Sequence, residues 1–233
     1  MVYLVEQPLT NYSAIKHVIR RSKKYSPVVA VAGNTQSGKS LFSGVFCKDL
    51  SMYRFKKKWD YKKNTCLSIK QFIKLVSNSQ NEVIAIEEGS FQLSSKRWYE
   101  LDALSTFDTL TTQAFRRNIY VIIAPHMKNV ASDTRFSIDF QFVIQKKYES
   151  IKSCYVLPQQ FSRRYWDITK KHFIVRYPAP FFNVYSDKEM VFGKEYTDWL
   201  EKEYKKETAM EKIKERYGLE EPFIPPKPFT INR

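Results

Sequence analysis

Three uninterrupted apolar runs punctuate the first half of the chain: Val28-Val29-Ala30-Val31-Ala32, Val83-Ile84-Ala85-Ile86 and Ile119–Ala124, the last stopped by Pro125. Runs this short and this continuous fit strands buried on both faces. The segments between them carry a helical period instead. Residues 11–24 place Ile15, Val18 and Ile19 on one face among basic side chains. Lys39–Leu50 reads as a helix with Leu41, Val45 and Leu50 toward the sheet, and Ser68–Ser77 as another with Ile69, Phe72, Ile73 and Val76 inward. A long helix is expected over 98–117. Buried strands alternating with helices predict parallel βαβ winding.

From residue 140 the pattern changes. Residues 140–158 read as two strands around a polar turn at Glu149-Ser150, extending the sheet at one edge, and His172–Val175 adds another strand. Residues 194–217 form a charged helix with Tyr196, Trp199, Leu200 and Tyr204 as its apolar stripe and Glu201–Lys205 as a favourable pair. The proline-rich tail is extended or disordered. The chain therefore divides into an N-terminal helical extension (1–27), a core (28–186) and a charged C-terminal helix with its tail (187–233).

The chemistry sits at the end of the first strand. Gly33-Asn34-Thr35-Gln36-Ser37-Gly38-Lys39-Ser40 fits G-x-x-x-x-G-K-[ST], followed by Leu41. The glycines let the backbone curl so that successive N–H groups face phosphates, and the helix behind aims its positive end at them. In such a loop Lys39 reaches the β and γ phosphates of ATP and the Ser40 hydroxyl ligates Mg. The pattern follows a buried strand and opens a helix, which is the context it needs. At the end of the second strand stand Glu87 and Glu88. In a magnesium NTPase the first acid holds the metal through water and the second polarises the attacking water. His126, just after the third strand, is a candidate γ-phosphate sensor. Arg97, Arg116, Arg117 and Arg135 are candidates for an arginine finger, with Arg116 and Arg135 preferred.

Charge adds a partner. The 39 Lys and Arg against 24 Asp and Glu give +15. Residues 187–221 hold 8 basic and 11 acidic side chains, whereas residues 1–186 hold 29 and 13. The basic part is thus the NTPase part, and counterion release favours DNA bound through its backbone without sequence preference. The basic run 54–63 suits such a backbone, with Tyr53, Phe55, Trp59 and Tyr61 available for stacking. Three scattered cysteines argue against a disulfide framework or a zinc site and for a cytoplasmic setting, in a host cell or virion. No apolar run is long enough to span a membrane.

Strand, loop and helix, then IAIEEGS, then SSKRWYELDALSTFDTLTTQAFRRNIYVIIAP and ASDTRFSIDFQFVI, resemble the HerA/FtsK-type branch of P-loop ATPases. More narrowly, the chain is similar to small archaeal, plasmid and viral members, some of them Zot-like. Gly33, Gly38, Lys39 and Ser40 match the Walker A motif, Glu88 matches the catalytic acid, and Arg97-Trp98 and Arg116 match the elements between. The resemblance spans residues 28–145, with a fainter Tyr-Pro-Ala-Pro segment at 177–180. Glu87 stands where the family usually has Asp, and Ala124-Pro125-His126 offers no matching polar sensor.

The resemblance implies an α/β P-loop NTPase fold of the additional-strand (RecA/FtsK-like) type. Its sheet is mostly parallel, flanked by helices, with an extra strand between the P-loop and Walker B strands. It also implies ATP hydrolysis coupled to DNA movement, in genome packaging or DNA transfer, by a homo-oligomeric ring of about six subunits with a capsid or membrane-complex partner. The alternatives are a Zot-like assembly or secretion ATPase, a small-molecule kinase, and a nucleotide switch with little hydrolysis.

Overall fold

A computed structural model describes residues 13–34, 37–87, 109–110, 112–127, 130, 137–148, 153–162, 173–176, 181–184 and 187–206. Each buried strand supplies both faces of one sheet. In β1 (Val28–Gly33), Val29 and Val31 join one apolar cluster while Val28 and Ala30 join the other. The same alternation divides β3 (Val83–Ile86) and β4 (Ile119–Ala124). A run that is apolar at every position is what a strand between two helical layers requires.

Among the described residues the sheet has eight strands. The others are β2 (Thr65–Cys66), β5 (Phe140–Tyr148), β6 (Ser153–Ser162), β7 (Phe173–Arg176) and β8 (Phe181–Val184). The order is β2-β3-β4-β1-β5-β6-β7, with β8 also pairing β6. The first five of these run parallel and the remainder are added antiparallel. β4 lies between the P-loop strand β1 and the acid-bearing strand β3, the extra strand that the resemblance implies. The expected hairpin is present, with Phe140 opposite Gln160 and Tyr148 opposite Ser153.

One face is covered by α1 (Ser13–Ser22), α2 (Lys39–Leu50) and the C-terminal helix. These share a cluster with Ile15, Phe42, Phe46, Phe142, Tyr196 and Leu200 at its centre. A four-residue helix α3 (Tyr61–Asn64) precedes β2. The other face is covered by α4 (Ile69–Asn78), through Phe72 and Val76. Ser68 caps α4 by accepting from the Gln71 amide at 3.2 Å, while Gln71 Oε1 accepts from the Leu67 amide at 2.8 Å.

Three expectations change. Ile73 is 36% exposed, because the contact of α4 with the sheet is lined by Phe72 and Val76, with Leu75 beside them. The C-terminal helix, α5 (Asp187–Lys206), begins well before residue 194, since Gly193 sits inside it against Leu41 instead of breaking it. Of the helix expected over 98–117, Thr109, Leu110 and Thr112 are helical and a 3-10 turn Gln113–Arg116 ends it, with the remainder outside the described residues. The flanking helices are integral to the core. Arg21 of α1 pairs at 3.1 Å with buried Asp139, whose other oxygen accepts from the Val28 amide at 3.0 Å.

Candidate nucleotide site

The turn between β1 and α2 is built around two glycines. A Cβ on Gly33 would lie 2.6 Å from the Ile144 carbonyl oxygen and 2.7 Å from Ser37 Oγ, so no side chain fits there. The Gly33 amide donates to the Pro125 carbonyl at 3.3 Å, tying the loop to the end of β4. The Ser37 amide donates to the Asn34 carbonyl at 3.1 Å, closing the curl. Gly38 then takes the left-handed conformation (φ 88°, ψ 17°) that glycine adopts most readily. Its carbonyl accepts from Phe42 at 2.9 Å, starting α2.

α2 therefore begins with no side chain capping its first amides. An uncapped helix start carries partial positive charge and N–H donors, the combination that binds phosphate. Lys39 leans back over the loop, donating from Nζ to the Asn34 carbonyl at 3.2 Å. The Ser37 hydroxyl is buried and has no hydrogen-bond partner among the described residues, a polar atom that a ligand in the cradle would satisfy. Ser40 stands half-buried in the first turn, and Leu41 offers only its backbone because its side chain enters the core. These residues fit a nucleoside triphosphate. Thr35 and Gln36, at the tip of the loop, lie outside the described residues.

Glu87 continues the alternation of Val83 and Ala85, so it faces the α2 side of the sheet. It is 3% exposed, and its Oε1 accepts from the Tyr196 hydroxyl of α5 at 2.9 Å. Burial and then the Glu87 charge push the Tyr196 phenol well above its ordinary range, so it is a permanent donor here. The same two causes raise the Cys47 thiol, in that order. Among the described residues no three His, Cys, Asp or Glu side chains gather into a metal cage. Mg would need only one or two protein oxygens, with phosphates and waters completing its shell. Ser40 and Glu87, the two residues expected to hold it, both lie on this side of the sheet. Glu88 lies outside the described residues.

Of the remaining candidates, His126 is exposed directly after Pro125, whose carbonyl holds Gly33, so it stands beside the loop. Arg116 is at the opposite end of β4. It donates to Gln113 Oε1 at 2.6 Å and to the Ser79 carbonyl at 3.2 Å, bonds that give it a structural task in its own subunit. Arg97 and Arg135 lie outside the described residues.

The aromatic run 53–61 is corrected. Trp59 is buried and donates to the Val83 carbonyl at 2.9 Å, while Tyr61 packs edge-on to Phe192 and Tyr196 and against Trp199. Phe55 is packed against the same core, leaving Tyr53 as the exposed ring of the run. Tyr196 was not singled out as a site residue. Its only signal was its place in the aromatic stripe of α5, which says that it is buried but not against which acid.

No protein-family model matches the chain, and no curated protein matches it in sequence. Solved structures are similar in outline. The genome packaging NTPase of Sulfolobus turreted icosahedral virus 2, in complex with AMPPCP, is 12% identical with a TM-score of 0.40, covering 65% of this chain and 97% of that one. The N-terminal domain of zonular occludens toxin from Neisseria meningitidis is 11% identical with a TM-score of 0.41, covering 71% and 97%. A KaiC-like protein from Pyrococcus horikoshii is 16% identical with a TM-score of 0.35, covering 65% and 89%. The first two are of the kind that the sequence resemblance names. Likeness at this level assigns no function, which rests on the residues of the site.

Proposed function

We propose that this chain is a Mg-dependent P-loop ATPase that couples hydrolysis to moving DNA, as in genome packaging or DNA transfer, within a ring of about six copies. The observation that supports the nucleotide half is the turn between β1 and α2. Left-handed Gly38, an uncapped helix start and the buried, unpartnered Ser37 hydroxyl together form a phosphate cradle. When bound, Mg draws charge from the β and γ phosphate oxygens. Lys39 would neutralise the same oxygens, and the Ser40 hydroxyl and Glu87 would hold the metal, Glu87 through water. Glu88 polarises the attacking water, and His126, beside the loop, senses the γ-phosphate. The excess of basic residues over 1–186 supports a polyanionic partner.

The test is steady-state ATP hydrolysis with and without double-stranded DNA across a salt series. Turnover stimulated by DNA, lost as salt rises and abolished by Glu88→Gln is the expected result. Turnover indifferent to DNA would sink the coupling and leave a plain ATPase.

A second reading is favoured by the burial of Glu87 under Tyr196: a nucleotide switch that binds ATP and turns it over slowly. It predicts tight nucleotide binding with no DNA-stimulated turnover.

A further inference from the structure

The end of the sheet opposite the phosphate loop gathers cations from three separate segments. The turn after α1 brings Lys24, a π-helical turn Ser51–Phe55 with the residue capping it brings Arg54 and Lys56, and the 3-10 turn before β4 brings Arg117. Hydrogen bonds hold these segments together. Arg54 donates to Ser22 Oγ at 2.7 Å and to the Ser22 carbonyl at 3.0 Å, and Ser26 Oγ donates to the Ala114 carbonyl at 3.1 Å. Arg54 is close enough to Arg117 for the second charge to lower its pKa, after burial. The same two turns carry exposed rings, Tyr53 at 45% and Phe115 at 67%. The acids that the described residues place here are held in ion pairs, Asp139 with Arg21 at 3.1 Å, Glu82 with Lys57 at 3.8 Å and Asp60 with Lys63 at 3.9 Å.

The backbone adds an independent sign. Among the described residues three non-glycine positions have positive φ: Lys56 (58°), Asn81 (56°) and Arg117 (57°). Asparagine is a residue that tolerates this conformation, whereas lysine and arginine are not. Both occupy left-handed caps at the end of a helical turn, where glycine is the ordinary choice. Two long cations thus hold positions that stability alone would give to glycine, and both are exposed on this surface.

We propose that this end of the sheet is a docking platform for the phosphate backbone of DNA, with Lys56 and Arg117 as its principal phosphate contacts. The proposal rests on the nucleic-acid half of the reading above, and it places the DNA at the far end of the strands from the nucleotide. Cations spaced over three segments with exposed rings on two of them suit a backbone and its sugars. A membrane surface is less well matched: the apolar face of α1, Ile15 and Val18, is fully buried and cannot insert.

The experiment uses Lys56→Gly/Arg117→Gly in the full chain, with a fluorescein-labelled 30-base-pair duplex and no nucleotide, so that it does not depend on ATPase activity. Glycine relaxes both caps, so the melting temperature should be no lower than wild type. Duplex affinity should fall roughly tenfold or more at 0.1 M salt, and the slope of log K against log salt should shrink by about two. Lys56→Asn/Arg117→Asn, which also tolerates the left-handed caps, should give the same loss. Unchanged affinity and slope in both pairs would overturn the platform even if the protein hydrolyses ATP. Loss of binding in a protein without ATPase activity would uphold the platform and sink the ATPase reading alone. If phosphatidylserine vesicles outcompete the duplex at equal salt and the variants lose the vesicles instead, the proposal also falls.

Discussion

Glu87 carries one methylene more than aspartate, hence one more rotatable bond between backbone and carboxylate. At 3% exposure water cannot steady it, and the Tyr196 hydroxyl at 2.9 Å does so instead. Tyr196→Phe keeps the ring, with its packing on Gly44, Trp59 and Tyr61, and removes one donor. Leaving a buried carboxylate oxygen without that donor should cost about 1–3 kcal/mol in urea denaturation. If the phenol positions Glu87 for Mg, the Mg concentration that half-saturates binding of a fluorescent ATP analogue should rise roughly tenfold. A loss of stability with unaltered Mg dependence would confine Tyr196 to packing. At the same scale, burial pushes the Cys66 thiol up to about 12 and raises the Cys47 thiol well above its ordinary range. A raised thiol pKa means little thiolate at pH 8, so iodoacetamide should label neither residue until the protein is denatured, as read by mass spectrometry. Rapid native labelling of either would show that this core opens.

Between elements, α5 closes on α2 through two glycines that are not equivalent. A Cβ on Gly44 would meet Tyr196 Cδ1 at 2.6 Å, and that ring is fixed by its bond to Glu87. A Cβ on Gly193 would meet Leu41 Cγ at 2.9 Å, the branch of a side chain that can turn aside. Alanine gains up to about 1 kcal/mol of helix propensity at either place. Gly44→Ala should nevertheless lose about 1–3 kcal/mol by overpacking, whereas Gly193→Ala should stay within about 1 kcal/mol of wild type. Equal effects in thermal melts would mean that α5 shifts as a body. Gly193 also shows where sequence reading stops: a glycine in a weakly amphipathic stretch reads as a helix boundary, and only the facing Leu41 explains it as an interior contact. β1, β3 and β4 were legible because each is apolar at every position. β2 and β8 were not, being two and four residues long and defined by the strands they pair with. The P-loop was legible because its chemistry lies in contiguous residues. The partner of Glu87 was not, since it comes from a helix 109 residues further along the chain. Trp59 misled for a related reason: its basic neighbours are solvated, while its own ring turns inward to the Val83 carbonyl.

Across the whole molecule the strands separate two ends. Gly33, Glu87 and His126 stand at their C-terminal end and Lys56 and Arg117 at the other, with a six-residue strand, roughly 20 Å, between them. β4 runs directly from one to the other, from Arg117 at its start to the Pro125 carbonyl that holds Gly33. Sites so placed bind separately, and any coupling between them travels through the sheet or across a subunit boundary. Lys39→Ala should therefore abolish ATP binding while leaving duplex affinity within about twofold of wild type, since charge at the far end is screened over a Debye length of about 10 Å in 0.1 M salt. Lys56→Gly/Arg117→Gly should do the reverse, keeping ATP binding while losing duplex affinity and the stimulation of turnover by DNA. The two variants, assayed side by side for nucleotide binding, duplex binding and turnover, define a double dissociation. If Lys39→Ala weakened duplex binding as much as the platform variant does, one composite site would replace the two-ended arrangement.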